Sequence, residues 1–355
     1  MTGVRIAAGG ADRRGGAWRR TVFLLALGLL VLWPDPVRAA DQAVIIMYHR
    51  FNEQDYPSTN IRLEQFDEHL AELTSGKYNV MALPDIVAAL KAGKDLPDRT
   101  VGITVDDAYA SVYEHGWPRL KKAGLPFTLF VATEPVDDGL KGIMTWDQIR
   151  ELKAQGVTIG HHTVSHAHMA GAPADANLRE FEEASRRFQA ELGEVPGIFA
   201  YPYGEASLRL EAMARNQGFV AAFGQHSGVA HPSLGLFYLP RFAMNETFGG
   251  IGRFRLAVNA LALPVTDVTP ADQLITENNP PAMGFTLIPP GPKALDRIAC
   301  FASHEGRARL ERLGDVRFEI RVTRPFPEGR GRINCTVPGP DGRWYWLGRQ
   351  FFIAK

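Results

Sequence analysis

Cysteine is nearly absent from this 355-residue chain, in which only Cys300 and Cys335 occur, both near the C-terminus. Two lone cysteines cannot build a structural zinc site, and the pair is most simply a disulfide made in an oxidising compartment. An excess of charge of one sign is also missing, with 39 Lys+Arg against 39 Asp+Glu and no long basic run. Neutralising phosphates takes clustered Lys and Arg, so nucleic acid is not the expected partner. The apolar stretch Thr21–Trp33 has 13 residues, short of the roughly 20 that a bilayer crossing needs, so no stable transmembrane span is expected in the mature chain. What is present, 45% hydrophobic and 22% charged residues, is the make-up of a globular protein with one or two cores.

The short apolar run has another use. Arg13, Arg14, Arg19 and Arg20 precede it, and Val37-Arg38-Ala39 puts small residues at the −3 and −1 positions of a cleavage site after Ala39. Residues 1–39 read as a secretory signal peptide, which makes the mature protein exported, periplasmic or extracellular. Their removal leaves 33 basic against 37 acidic side chains.

From 40 to 263, short apolar runs alternate with amphipathic ones. Strands are expected at Ala43–Tyr48, Thr100–Val105, Phe127–Ala132, Val157–Gly160, Gly197–Ala200, Phe219–Phe223 and Leu236–Leu239. Helical spacing of apolar residues falls between them, as at Leu63–Leu73, Val112–Ala123 and Asn177–Leu192. Such alternation predicts a parallel sheet closed, or nearly closed, as a (β/α) barrel, with an open doubly wound sheet as the alternative. Proline-rich turns then suggest a linker over 264–281. Beyond it, strand-like runs separated by Pro and Gly turns predict a small all-β sandwich domain over 282–355, with Cys300 and Cys335 in two of its strands. A bridge there would pin strands or sheets together.

Four of the ten histidines crowd just past the expected strand Val157–Gly160: His161, His162, His166 and His168. Imidazoles four residues apart, as in His162 and His166, can converge on one cation. A third ligand is offered by Ile103-Thr104-Val105-Asp106-Asp107, an apolar strand ending in two acids. Adjacent carboxylates repel, and a cation offsets that repulsion. One of them can complete a His-His-Asp site while the other serves as general base. In a barrel the C-terminal strand ends share one rim, which brings this pair, the histidine loop and Tyr201-Pro202-Tyr203-Gly204 together. The plainer readings are a helix N-cap for the aspartates, a solvated loop for the histidines and a simple turn for Pro202-Tyr203-Gly204.

Thr104-Val105-Asp106-Asp107-Ala108, His162-Thr163-Val164-Ser165-His166 and Tyr201-Pro202-Tyr203-Gly204-Glu205 resemble, in order, the motifs of the polysaccharide deacetylases, carbohydrate esterase family 4, over about 220 of the 355 residues. Their form is nearest to members resembling the poly-N-acetylglucosamine deacetylases. The resemblance implies a distorted (β/α) barrel and metal-dependent removal of an N- or O-acetyl group from a sugar. It implies Asp106 as catalytic base, Asp107, His162 and His166 as metal ligands, and the Tyr203 backbone N–H as oxyanion donor, with His161 not a ligand. His226, after Phe219–Phe223, loosely matches the family's late histidine and would return a proton to the leaving amine.

Two positions depart from the family pattern. Ala108 stands where glycine is usual, although alanine still allows ordinary φ values, and Ala200 replaces the arginine that orients the catalytic aspartate. Arg241, in Leu239-Pro240-Arg241-Phe242, is expected to supply that contact from another loop. His49 either lines the substrate cleft or closes the first strand structurally. The alternation in Trp344-Tyr345-Trp346 puts Tyr345 on one strand face and both tryptophans on the other, as sandwich core or as a sugar-stacking surface.

A His-His-Asp set suits a divalent metal, zinc first, with cobalt, nickel or manganese as the others. The expected substrate is an N-acetylated polysaccharide, and the C-terminal domain could hold the polymer or a protein partner. Two further readings stand beside this one: an O-acetyl glycan esterase or small N-acyl amide hydrolase on the same site, and a non-catalytic glycan-binding protein on a deacetylase scaffold.

Overall fold

The computed structural model describes residues 39–289 and 291–354, so the expected signal peptide lies outside the described residues except for Ala39. Seven parallel strands form the central sheet: β1 (Val44–Tyr48), β2 (Thr100–Asp106), β3 (Thr128–Val131), β4 (Thr158–His161), β5 (Ile198–Ala200), β6 (Ala221–Phe223) and β7 (Phe242–Ala243), in the order β6-β5-β4-β3-β2-β1-β7. A short strand, Asn79–Val80, pairs beside β2. All residues of β1, β2 and β3 are buried, as strands covered on both faces must be, and this is why they read as unbroken apolar runs. Helices pack outside, among them Leu63–Leu73, Trp146–Ala154 and Ala174–Leu192. The last of these ends where Gly193 takes a left-handed φ of 75°.

The sheet curls into a distorted (β/α) barrel. Its closure differs from expectation. Leu236–Leu239 does not form a full strand: it hydrogen-bonds to Ala222 and Gly224 beside β6 through a single bridge at Leu239, and the chain then crosses to pair as β7 with β1. Pro240 interrupts the run, since it has no N–H to give to a ladder. The segment 236–243 thus joins the two edges of the sheet. The expected helix Val112–Ala123 is also divided, into a π-helical turn at Val112–Gly116 and an α-helix at Trp117–Ala123, the break falling before Pro118.

Two further, all-β sheets follow. One has the order β8-β10-β13-β12, from β8 (Val265–Thr269), β10 (Met283–Leu287), β12 (Arg309–Leu313) and β13 (Arg317–Arg321). The other centres on β11 (Ala299–Ala302), β14 (Gly329–Pro338) and β15 (Trp344–Ile353), with β9 (Leu274–Ile275) and Leu261–Ala262 also pairing with β15. Val265, Phe285, Phe318 and Ile320 of the first sheet share a core with Ile333, Val337, Leu347 and Phe351 of the second. A disulfide joins Cys300 to Cys335, directly opposed on β11 and β14, so it ties neighbouring strands of one sheet. The stretch 264–281, expected as a linker, contributes β8 and β9. Only Val265 of β8 is buried, and an edge strand of this kind tolerates the flanking prolines that made the sequence look like a connector.

Strand β15 has two loyalties. Leu347, Phe351 and Ile353 enter the sandwich core, with Tyr345 packed against it. On the opposite face, Trp346 meets Phe242 of the barrel edge-on, with ring centroids 5.2 Å apart. The period of two therefore separates Tyr345 from Trp346 and turns one face of β15 toward the barrel.

Candidate active site

β2 ends in Asp106, and the chain then turns sharply through Asp107 (φ 77°) and Ala108 (φ 47°). Ala108 thus takes the left-handed conformation and not the ordinary φ expected of it, at a cost of roughly 1–2 kcal/mol for a residue with a Cβ. The Asp107 amide is held by the Phe130 carbonyl on β3 (3.0 Å). Thr163, His166 and Tyr203 also have positive φ, so half of the ten such non-glycine residues among those described lie in three adjoining loops. Strain concentrated where strand ends meet is a mark of a functional site.

His162 follows β4, its amide held by Val131 (3.0 Å). Its Nδ1 lies 2.7 Å from the Ala200 carbonyl, a contact that requires Nδ1 to carry a proton, so that in the neutral ring Nε2 is the acceptor. That Nε2 faces Asp107 Oδ1 at 3.4 Å, and His166 Nε2 approaches the same oxygen at 3.3 Å. Asp107 Oδ1 and His162 Nε2 are both buried and without a hydrogen-bond partner among the described residues. One ligand atom from each of Asp107, His162 and His166 lies within 4.8 Å of the others. Buried acceptors converging on one point need a positive charge between them, and two imidazoles with one carboxylate are a donor set that suits a divalent cation. Burial alone would push Asp107 up and His162 down; the imidazoles instead hold the Asp107 carboxyl below its usual range, and the two aspartates raise His162. His166 is lowered to about 4, by burial and then by His162.

Asp106 is paired elsewhere. Arg241 donates from both terminal nitrogens to its two carboxylate oxygens, at 2.7 and 2.8 Å, and binds Gly224 O (2.9 Å) and Thr104 Oγ1 (3.1 Å) as well. Burial raises the Asp106 carboxyl, but Arg241 and then His162 outweigh it and hold it below the carboxylate range. The chain therefore brings Arg241 to Asp106 where Ala200 cannot reach. His49 Nε2 lies 4.0 Å from Asp106 Oδ2 and is part exposed, so it faces the same rim from the end of β1.

His226 is differently placed. Its ring stacks on Tyr238 (centroids 4.4 Å apart), and its Nδ1 has no hydrogen-bond partner among the described residues. Burial, then Arg349 and Arg332, lower it to about 3. It is a neutral imidazole near pH 7, a poor setting for a proton donor. His161 is a core residue, ringed by Phe181, Phe188, Phe199 and Phe219, while His168 binds the buried Glu205 (2.8 Å) and stacks on Tyr203 (4.0 Å).

Sequence reasoning missed two neighbours. Tyr109 stands close enough to Asp107 for burial and that carboxylate together to raise its phenol, and Arg50 lies over its ring at 3.4 Å. Adjacency to the Asp106-Asp107 pair was the available signal for Tyr109. Gln350 of β15 also reaches the Tyr203 loop, and nothing in its local sequence pointed there.

Residues 93–222 match the family model described as polysaccharide deacetylase. The chain is 22% identical over 224 residues to a poly-beta-1,6-N-acetyl-D-glucosamine N-deacetylase of Staphylococcus aureus, covering 59% of this chain and 76% of that protein. Among solved structures, IcaB from Ammonifex degensii superposes with a TM-score of 0.55 at 25% identity, over 62% of this chain and 97% of that one. Streptococcus pyogenes deacetylase PplD, in complex with acetate, superposes with a TM-score of 0.57 at 22% identity, over 61% and 98%.

Proposed function

We propose that this chain, whose residues 93–222 match the polysaccharide deacetylase family model, is an exported, metal-dependent hydrolase that removes N-acetyl groups from an amino-sugar polymer. The observation that carries the reading is the convergence of one ligand atom each from Asp107, His162 and His166, two of them (Asp107 Oδ1 and His162 Nε2) buried without a hydrogen-bond partner among the described residues, beside a carboxylate already paired with arginine. The named relatives make a poly-N-acetylglucosamine the first substrate to try.

Asp107, His162 and His166 would hold a divalent ion, zinc first. Bound there, it supplies Lewis-acid polarisation of the acetyl group and acidifies water. Asp106 is the base: Arg241 keeps it ionised and fixed in direction, so its carboxylate can take the proton of the attacking water. The Tyr203 N–H, at the head of a strained turn, is the donor to the oxygen that becomes negative. The C–N bond then breaks, and the amine leaves with a proton. His49, beside Asp106 and partly exposed, is the better-placed source of that proton, and the role expected of His226 passes to it.

Export rests on the leader-like residues 1–39 and on the disulfide, which suits an oxidising compartment. The same reading divides the mature chain into a barrel domain (40–263) and a β-sandwich domain (282–355), with 264–281 supplying edge strands to the two sheets of the sandwich. Acetate release from N-acetylglucosamine oligomers of differing linkage tests the substrate. Release from O-acetylated glycans alone would move the assignment to an esterase.

A further inference from the structure

The face that β15 turns to the barrel meets a different loop at each alternate residue. At Gly348 a Cβ would fall on the Ser227 carbonyl, so only glycine lets the strand approach the loop after β6 this closely. Gln350 comes next, 1% exposed, its side-chain nitrogen donating to the carbonyls of Tyr203 (3.1 Å) and Gly204 (2.8 Å). Its Oε1 accepts from Arg332 Nε at 2.8 Å. Phe352 follows, its ring facing His168, which stacks in turn on Tyr203. Burying an amide is costly unless its polar atoms are met, and here both donor hydrogens go to one turn of the barrel.

We propose that Gln350 is a positioning residue for the deacetylation step. This rests on the reading of Tyr203 as the oxyanion donor. Tyr203 sits at φ 58° and ψ 5°, a conformation that a residue with a side chain does not hold unaided. The Gln350 bonds fix the two carbonyls that follow its Cα, which sets ψ, and the left-handed φ then aims the Tyr203 N–H. Tyr238 supports the same turn through its hydroxyl, which donates to Gly204 O at 2.8 Å. The C-terminal β-region thereby forms part of the catalytic apparatus, and one buried amide carries the coupling.

Gln350→Met keeps length and removes every polar atom; Gln350→Glu keeps an oxygen for Arg332 and loses the donors. With both purified beside wild type, acetate release, metal content and thermal midpoint are measured. The expected result is a fall in kcat of about tenfold or more in each variant, with KM within about twofold and about one metal per chain retained, as for a weakened oxyanion contact. Should Gln350→Met fail to fold, Gln350→Glu gives the same reading. Unchanged kcat in a folded variant overturns the proposal, as does loss of metal and kcat together, which would mark a merely structural role. If wild type itself releases no acetate, the deacetylase reading fails first, and that outcome is distinct from an active wild type with an equally active variant.

Discussion

Arg241 grips both carboxylate oxygens of Asp106, at 2.7 and 2.8 Å, with neither side chain exposed to solvent. The two residues are 135 positions apart, and the chain reaches this pairing only because the segment 236–243 crosses from one edge of the sheet to the other. Removing the arginine strands a buried carboxylate, at a cost of about 3–5 kcal/mol. Arg241→Ala is therefore expected to lower both the urea midpoint and kcat, the latter by about a hundredfold, and Arg241→Lys to recover charge but not the two-pronged contact. Wild-type kinetics in Arg241→Ala would remove it from the mechanism.

The proton donor is testable by a pair of substitutions. His49→Gln should reduce kcat by about 10²–10⁴, the usual worth of a general acid or base. His226→Gln should leave kcat within a few-fold. The reverse order would restore the donor to His226.

Acid should weaken the fold through two buried histidines. His69 is buried against Phe254 and bonded to Tyr48 and Gly249, and burial, partly offset by the Gly249 bond, lowers it to about 4; His226 is lowered to about 3. In the unfolded chain each returns to about 6.5. Between those values the unfolded state binds more protons, so stability rises with pH. Their contribution is complete above about pH 6.5 and is lost as pH falls toward 4 and then 3. Urea unfolding should show a stability lower at pH 5 than at pH 7 by about 2 kcal/mol or more. Equal stability at the two pH values would contradict this burial of neutral imidazoles.

The disulfide ties β11 to β14 within the sandwich and closes a separation of 35 residues. Replacing both Cys300 and Cys335 by alanine should cost about 2–4 kcal/mol while leaving acetate release near wild type at 25 °C, since neither cysteine touches the site loops. A denaturation midpoint unchanged from wild type would show that the β-region does not depend on the bridge.

Much of this was legible in the sequence where chemistry is local. Asp106-Asp107 at a strand end and the His162/His166 spacing point to one rim, and barrel topology does bring them together. The contact between Arg241 and Asp106 was legible for a different reason: the family resemblance implies an arginine where Ala200 stands, which leaves the carboxylate needing another partner, and Arg241 follows a strand-like run. What depended on long-range closure was not readable. Leu236–Leu239 has a strand's composition but is spent bridging two sheet edges. The prolines around 264–281 announced a linker, yet edge strands form there because few of their residues must be buried. Ala108 gave no sign of its left-handed φ, which the turn after β2 imposes. Gln350 is an ordinary polar residue in an alternating strand, and only the docking of β15 reveals what its amide meets.

The central claim is that Asp107, His162 and His166 hold one divalent ion while Asp106 takes the proton. Metal content and acetate release, measured together on wild type, Asp107→Ala and Asp106→Asn, address it directly. The account predicts about one metal per chain and turnover in wild type, loss of both in Asp107→Ala, and metal without turnover in Asp106→Asn. Full activity in Asp107→Ala, or a wild type that binds no metal and still releases acetate, would contradict it.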